Sequence, residues 1–219
     1  MDSGIPDINP DEALRRLIEG NARFVRGEPL QLPPSPSQLA DLTQTQSPFA
    51  TILGCSDSRV PPEMVFDQGL GDLFIVRVAG NVVSAEILGS LGYALAHLRT
   101  SLFVVLGHEG CGAVHAALKM KFHRHAEPGT VGELLESILP GLEEINPSAS
   151  AEVQWQQAVE ANVRWSVRQL AAAPGARAFL SEGRIRIVGA VYELATGRVR
   201  FLREEEPSSP PNRQSAAGV

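Results

Sequence analysis

The sequence Phe49-Ala-Thr-Ile-Leu-Gly54 is a nearly unbroken apolar run, and a polar segment follows it directly. Two further runs of this kind, Leu73–Val78 and Leu102–Leu106, occur later in the chain. Short apolar runs without alternation are typical of parallel strands that are covered on both faces. Between the second and third runs, the apolar spacing of Ser84–Arg99 predicts a helix. We therefore predict an α/β fold with a central, mostly parallel β-sheet that is flanked by helices.

The sequence on both sides of this centre predicts a single domain over residues 1–203. Residues 1–36 are predicted to form an N-terminal helix followed by a Pro-rich, extended arm. Near the other end, Arg184–Val191 alternates apolar and polar residues, and a Thr-Gly turn leads into Val199–Leu202. These two segments predict a C-terminal hairpin at the edge of the sheet. Residues 204–219 are rich in Glu, Pro, Ser and small residues, and we expect them to be disordered.

Composition and charge argue against several classes of function. The 219 residues carry a formal net charge of -6, which gives no electrostatic reason to expect a nucleic-acid partner. No run approaches the roughly 20 apolar residues that span a bilayer, and no export signal is recognised at the N-terminus. We therefore expect a cytoplasmic protein with no membrane partner. Only two cysteines are present, which is too few for a secreted disulfide scaffold.

Residues that suit a metal site follow two of the predicted strands. Cys55 comes directly after the first run, and His108 and Cys111 come just after the Leu102–Leu106 run. Because the carboxyl ends of parallel strands meet at one edge of a sheet, both segments can point into the same crevice. Two thiolates and one imidazole suit zinc, and three protein ligands leave the fourth position open, as in catalytic sites. Each residue alone is better explained as an ordinary buried or hydrogen-bonded side chain, but the short His-x-x-Cys spacing and the position of Cys55 after an equivalent strand favour a metal site.

Longer motifs extend this pattern over most of the chain. They read CSDSRVPPE at 55–63, DQGLGDLFIVRVAGN at 67–81 and VVLGHEGCGAV at 104–114, with GNARFV at 20–25 and YELATG at 192–197. Together these motifs resemble those of the β-class carbonic anhydrase family, over about Ala13–Leu202. The resemblance implies a zinc enzyme that interconverts carbon dioxide and bicarbonate through water activated by the metal. It also implies an α/β fold built around an intimate dimer.

The resemblance implies roles for five residues around the metal. By position, Cys55, His108 and Cys111 match the zinc ligands of the family, with one Zn2+ per subunit. Asp57 and Arg59 match its catalytic Asp–Arg pair. In the family, the arginine can hold the aspartate away from the metal, or the aspartate can swing in as the fourth ligand. A bidentate arginine is a favourable partner for a carboxylate that would otherwise compete for the metal.

Three further residues, Gln46, Phe74 and Tyr93, match the substrate pocket of the family branch that has a preformed active site, and some of them act across the dimer interface. Gln46 is expected to donate its amide to a bicarbonate oxygen, and Gly112 leaves its backbone N–H accessible. Phe74 and Tyr93 are expected to form an apolar wall, although core packing explains them equally well. A branch regulated by bicarbonate carries a tryptophan where this chain has Ile52, so we predict no bicarbonate-triggered closure.

Two alternative functions keep the same metal. A zinc hydrolase that acts on carbonyl sulfide or carbon disulfide would use the same ligands, and the width of the pocket and its access channel would distinguish it. A non-catalytic zinc-binding homologue would need a permanent protein ligand in the fourth position or a lost Asp–Arg pair, whereas this chain has Asp57 and Arg59. The resemblance favours carbon dioxide and bicarbonate as the small-molecule partners. It implies a homo-oligomer with a dimer as the minimal unit, from which tetramers or larger assemblies can be built.

Overall fold

A five-stranded sheet forms the centre of the computed structural model, which describes residues 8–30, 33–123 and 127–203. The strands are Ala50–Gly54 (β1), Leu73–Arg77 (β2), Leu102–His108 (β3), Arg186–Tyr192 (β4) and Val199–Phe201 (β5). Their order is β2-β1-β3-β4-β5, and all neighbours are parallel except β5, which is antiparallel to β4 at the edge. The predicted α/β fold with a mostly parallel sheet and an edge hairpin is confirmed. The tail predicted at 204–219 lies outside the described residues.

Eight α-helices accompany the sheet in the described part of the chain. They are Pro10–Arg26 (α1), Pro36–Leu42 (α2), Pro62–Val65 (α3), Ala85–Tyr93 (α4), Gly112–His123 (α5), Gly129–Glu136 (α6), Ala151–Ala172 (α7) and Pro174–Ser181 (α8). A 3-10 turn, Ala79–Asn81, follows β2, and a π-helical segment, Ala94–Leu98, continues α4. None of the described helices combines the length and the apolar character that crossing a membrane requires.

The sheet separates two apolar clusters, which explains the unbroken apolar runs. Along β1, Ile52 belongs to the cluster beneath α1 and α3, whereas Leu53 belongs to the cluster beneath α4, α5, α6 and α7. Every residue of β1 and β3 is buried. Successive side chains of a strand point to opposite faces, and here both faces are covered. Polar residues are few in these two strands, and the exception within β1, Thr51, shares a hydrogen bond with Thr100 through their hydroxyl groups.

The N-terminal helix packs closely on one face of the sheet. Asn9 caps α1 through its side chain, and Leu17 is fully buried. A Cβ atom on Gly20 would lie 1.8 Å from the carbonyl oxygen of Phe66, so only glycine permits this approach of α1 to the end of α3. Ile18, however, is 48% exposed, so this chain alone does not cover the whole apolar stripe of α1.

A helix that the sequence did not lead us to expect begins where the predicted arm ends. The described residues before it are exposed, as predicted for an extended arm, but Pro36–Leu42 forms α2. The Ser35 hydroxyl accepts a hydrogen bond from the Gln38 backbone N–H, and the Gln38 side chain accepts one from the Ser35 N–H. This capping box and the proline at the first helical position start a helix, whereas the Pro-rich composition suggested extended chain.

The helix predicted over Ser84–Arg99 changes its geometry part-way. Ser84 caps α4 as a helix start predicts, but the regular α-helix ends at Tyr93 and the segment Ala94–Leu98 is π-helical. Arg99 then ends the helix in the left-handed conformation, with φ of 55°. Apolar spacing reports which face of a helix is buried, and it does not report a single wider turn within it.

Candidate metal centre

The register between β1 and β3 brings the two polar segments of the sequence together. The strands pair in parallel with Gly54 opposite Leu106, so that Cys55 follows level with the end of β3. His108 is the last residue of β3, and Cys111 immediately precedes α5. One candidate ligand therefore comes from the end of β1 and two come from the end of β3.

Three candidate metal ligands converge at this edge of the sheet. The sulfurs of Cys55 and Cys111 and a ring nitrogen of His108 all lie within 4.8 Å of one another, and all three residues are buried. Nδ1 of His108 lies 2.8 Å from the carbonyl oxygen of Glu109, to which it can donate. The other ring nitrogen, Nε2, is buried and has no hydrogen-bond partner among the described residues. The backbone thus favours the tautomer in which Nε2 offers its lone pair to a metal.

The geometry and chemistry of these residues fit a zinc ion. Tetrahedral zinc, with Zn–S bonds of about 2.3 Å and a Zn–N bond of about 2.0 Å, places its ligand atoms roughly 3.5–3.8 Å apart. The spacing of the two sulfurs and the imidazole nitrogen allows this arrangement. A buried nitrogen without a partner costs about 1–3 kcal/mol, and a metal bond removes that cost. Cys55, His108 and Cys111 form the metal-binding group of the chain.

The proton affinities of the metal-binding group are coupled. A hydrogen bond between the two sulfurs lowers the pKa of Cys55 and raises the pKa of Cys111. Burial opposes a charge on His108, but the neighbouring Cys55 sulfur outweighs burial, so the pKa of His108 is raised. The three side chains therefore form a site in which a positive charge is favoured. A metal ion supplies such charge when it replaces the shared protons.

Asp57 lies beside the metal-binding group and is held by Arg59. Nε and Nη2 of Arg59 donate to the two carboxylate oxygens at 2.9 and 2.8 Å, and its backbone N–H donates to Oδ1 at 3.0 Å. These hydrogen bonds from Arg59 hold the pKa of Asp57 below its usual range, although burial opposes the shift. Oδ2 of Asp57 is 3.9 Å from Nε2 of His108. The carboxylate is thus close to the ligand atoms while the arginine binds both of its oxygens.

Arg77 fixes the loop that carries Cys55 and Asp57, a contact that the sequence analysis missed. Its Nε donates to the carbonyl oxygen of Cys55 at 2.8 Å, and its Nη2 donates to that of Asp57 at 2.5 Å. Arg77 is the last residue of β2 and pairs with Gly54, the last residue of β1. It satisfies two carbonyl groups just beyond the end of the β1 ladder. The available signal was positional, because Arg77 is the one charged residue in its apolar run.

Of the predicted pocket residues, Gly112 lies at the metal-binding group and the two aromatic residues lie away from it. Gly112 is exposed at the start of α5. The rings of Phe74 and Tyr93 contact each other with centroids 6.3 Å apart, and Tyr93 is 48% exposed. Phe74 pairs with Thr51, four residues before Cys55, which places it roughly 13 Å back along the strand direction.

Gln46 also lies away from the metal-binding group within this chain. It is exposed on the segment between α2 and β1, so it precedes the strand whose far end leads into Cys55. One chain therefore gathers part of the predicted site at the carboxyl edge of the sheet and leaves the rest toward the opposite edge. The gathered residues are Cys55, Asp57, Arg59, His108, Cys111 and Gly112, and the others are Gln46, Phe74 and Tyr93.

Comparison with known proteins identifies the family. The family model described as carbonic anhydrase matches residues 50–199, which is more than half of the chain. The chain belongs to the β-class carbonic anhydrase family. A carbonic anhydrase of Mycolicibacterium smegmatis is 41% identical over 200 residues, which are 90% of this chain and 95% of that protein. The resemblance of the motifs is thus confirmed over nearly the whole length of a relative.

Solved β-carbonic anhydrases share the fold described above. The Coccomyxa β-carbonic anhydrase, solved in complex with acetazolamide, is 29% identical, with a TM-score of 0.69 over 74% of this chain and 75% of that chain. A chain from the crystal structures of two tetrameric β-carbonic anhydrases of Sordaria macrospora is 25% identical, with a TM-score of 0.70 over 77% of this chain and 87% of that chain. The α/β architecture is therefore that of the β-carbonic anhydrases.

We expect the only two thiols of the chain, those of Cys55 and Cys111, to report on metal binding. In zinc-loaded protein a thiol reagent should react slowly, because both sulfurs are buried and bound to the metal. After chelation both thiols should react faster, with release of one zinc ion per chain. Thiol titration combined with elemental analysis checks this expectation.

His108→Ala should lower zinc affinity by 10-fold or more, because it removes a ligand. Losing even a residue that only hydrogen-bonds a metal ligand lowers metal affinity or activity by about 10–100-fold. The control is His115→Ala, one helical turn after Cys111, which removes an imidazole outside the metal-binding group and should leave metal content unchanged. Full metal content in His108→Ala, or equal loss in both variants, would contradict the assignment.

Proposed function

We propose that this chain catalyses the reversible hydration of carbon dioxide to bicarbonate and a proton, with one zinc ion per subunit held by Cys55, His108 and Cys111. The observation that carries the proposal is the convergence of these ligands beside an arginine-held aspartate, in a chain of the carbonic anhydrase family. The relative from Mycolicibacterium smegmatis is a carbonic anhydrase, and it aligns with 90% of this chain.

Three side chains of the chain would bind the metal ion, and the two thiolates among them would offset its positive charge. When bound, zinc supplies a Lewis acid that lowers the pKa of a coordinated water toward neutrality. Cys55 and Cys111 offset the charge of the ion with two sulfurs, and the carbonyl oxygen of Glu109 orients the His108 ring through Nδ1. Two thiolates donate more negative charge than imidazoles do, so we expect activity to rise at a higher pH than in a site with three histidines.

Arg59 keeps the fourth coordination position free for solvent. Both oxygens of Asp57 accept hydrogen bonds from the guanidinium group, so the carboxylate has a favourable partner other than the metal. Gly112 adds an exposed backbone N–H at the start of α5, and a helix N-terminus favours an anionic product such as bicarbonate. The chain thus separates two tasks, since one pair controls access to the metal and the backbone receives the anion.

The pocket walls come from a second copy of the chain. Gln46, Phe74 and Tyr93 lie toward the amino edge of the sheet, whereas the metal-binding group lies at the carboxyl edge. Phe74 is roughly 13 Å removed from the metal-binding group along the strand direction, so it would reach a metal from a partner chain. The exposed face of Tyr93 supports this arrangement. A homodimer is the proposed minimal unit; the Sordaria macrospora enzymes of this fold are tetrameric, which supports larger assemblies.

The two alternative functions are less well supported. Hydrolysis of carbonyl sulfide or carbon disulfide requires the same ligands, but a relative that aligns with 90% of this chain is a carbonic anhydrase. A non-catalytic zinc protein requires a protein group fixed on the metal, and Asp57 is instead bound by Arg59. The cytoplasm remains the predicted compartment.

Stopped-flow measurement of CO2 hydration tests the proposed function. The zinc-loaded protein should accelerate hydration, chelation should abolish the acceleration, and one equivalent of zinc should restore it. Carbonyl sulfide and carbon disulfide, assayed with the same preparation, should be consumed more slowly than CO2. A zinc-loaded protein that leaves CO2 hydration at the uncatalysed rate would refute the proposal, and faster turnover of carbonyl sulfide would favour the hydrolase.

A double-mutant cycle tests the role of the Asp57–Arg59 pair. Arg59→Ala should lower kcat by about 10-fold or more, because it frees the carboxylate to compete for the metal. In an Asp57→Ala background, the same change should have little further effect, since the two residues act as one unit. Arg26→Ala, which breaks an exposed ion pair with Glu28 outside the Asp57–Arg59 pair, is the matched control and should leave kcat unchanged. Additive effects in the cycle would count against the assigned role.

Hybrid dimers test whether pocket residues act across the interface. One chain carries Cys111→Ser, the other carries Phe74→Ala and Tyr93→Ala, and different tags allow the mixed dimer to be purified. Both parent dimers should be nearly inactive. The hybrid should regain one of its two sites, because the intact metal-binding group of one chain meets the intact pocket wall of the other. A hybrid as inactive as its parents would mean that each pocket belongs to a single chain.

A further inference from the structure

The turn Ala79–Asn81 places a hydrogen-bond donor on a metal ligand. The backbone N–H of Gly80 donates to the sulfur of Cys55 at 3.4 Å. Gly80 has φ of 68°, and a Cβ atom on it would lie 2.8 Å from Cδ1 of Ile138 and 3.1 Å from the Cβ of Ala113. Both the backbone conformation and the close packing therefore require glycine here. The turn brings a peptide dipole to a sulfur that is already part of the metal-binding group.

Two side chains of α7 hold this turn from the other side. Nδ2 of Asn162 donates to the carbonyl oxygen of Gly80 at 2.8 Å, and the hydroxyl of Ser166 donates to the carbonyl oxygen of Asn81 at 2.9 Å. Asn162 and Ser166 are each only 1% exposed. They lie four residues apart on α7, so successive turns of one helix face bind successive peptide groups of the turn.

The start of the turn is anchored to the sheet. The backbone N–H of Val78 donates to the carbonyl oxygen of Gly54 at 3.1 Å, which extends the β1–β2 ladder by one residue. The turn is thus bound at its beginning by β1 and at its end by α7. With both ends fixed, the N–H of Gly80 has little freedom to leave the Cys55 sulfur.

Burial of these two polar side chains is not explained by packing. The buried neighbours on α7 are mostly apolar, namely Ala158, Val159, Val163 and Leu170. Oδ1 of Asn162 has no hydrogen-bond partner among the described residues, so the amide is incompletely satisfied where it is buried. An apolar residue would avoid that cost. The hydrogen bond to the carbonyl oxygen of Gly80 accounts for the burial of the Asn162 amide.

We propose that Asn162 and Ser166 are positioning residues of the metal centre, which fix the Gly80 N–H on the Cys55 sulfur and thereby set how strongly that sulfur donates to the metal. This inference rests on the proposed function, in which Cys55 is a zinc ligand. A hydrogen bond to a coordinated sulfur withdraws electron density from it, and such outer partners tune metal sites throughout proteins. Asn162 and Ser166 act on the ligand from 107 and 111 residues further along the chain.

Loss of the hydrogen bond has a predictable direction. Without a fixed N–H donor, Cys55 donates more charge and the bound metal becomes a weaker Lewis acid. The midpoint of the pH–kcat profile should therefore move to higher pH. In cobalt-substituted protein, the thiolate-to-cobalt absorption band should move to lower energy, because electrons leave a more electron-rich sulfur more easily. Metal affinity should nevertheless fall by about 10-fold, because Cys55 is no longer held in its ligating position and this loss outweighs its stronger donation.

The test compares Asn162→Ala and Ser166→Ala with Leu170→Ala, which shortens a buried side chain of the same helix without touching the turn. Three quantities are measured on full-length protein: the energy of the cobalt absorption band, the pH midpoint of kcat, and cobalt or zinc affinity by chelator competition. Asn162→Ala should shift all three, and Ser166→Ala should shift them less in the same direction. Leu170→Ala should lower thermal stability and leave the band and the midpoint unchanged.

The outcomes separate this inference from the proposed function. If the wild type binds cobalt but does not hydrate CO2, the proposed function fails, and the absorption band still decides the inference. If the wild type is active and both polar variants match Leu170→Ala in band energy and pH midpoint, the inference is overturned alone. If Asn162→Ala does not fold, Ser166→Ala decides, because it deletes a single hydroxyl from the same contact.

Discussion

The parallel pairing of β1 with β3, with Gly54 opposite Leu106, is the constraint on which the metal centre depends. The pairing makes Cys55 emerge level with His108, and Cys111 follows in the next turn of the chain. A slip of one residue would turn the side chains of a strand to the other face of the sheet. Because both faces are buried and carry different clusters, such a slip would bury polar groups in apolar surroundings. The packing of the core therefore fixes the geometry of the ligands.

Hydrogen bonds hold the segments around the candidate metal ligands in place. Arg77 binds the carbonyl groups of the Cys55 loop, the Glu109 carbonyl orients His108, and Arg59 binds Asp57. Each contact satisfies a polar group that would otherwise be left free at a strand end. Sites of this kind keep their ligands in place before the metal arrives, which reduces the reorganisation that binding and catalysis require. Asp57 is bound by Arg59 and also lies 3.9 Å from Nε2 of His108, at the edge of the metal-binding group.

Much of this organisation was predictable from local patterns. The apolar runs located β1, β2 and β3 to within one or two residues, since a strand covered on both faces has few polar positions. The edge hairpin was also expected, because alternating apolar and polar residues lead there into a Thr-Gly turn. The helix Pro36–Leu42, which begins at the last residue of the predicted arm, was not predicted, and the π-helical turn within Ser84–Arg99 was missed. Both errors concern short stretches, where capping and a single wide turn outweigh composition and spacing.

The sequence by itself determined the chemistry of the site, because the soft donors Cys55, His108 and Cys111 and the Asp57–Arg59 pair are visible as residue types at short spacings after apolar runs. Tertiary structure decided which of the predicted residues meet. It placed β1 beside β3, it moved Phe74 and Tyr93 away from the ligands of their own chain, and it brought Asn162 to Gly80. Local patterns encode backbone preference and burial, whereas strand order and helix packing join segments that are far apart in the chain. Contacts of the second kind therefore became visible only in the folded molecule.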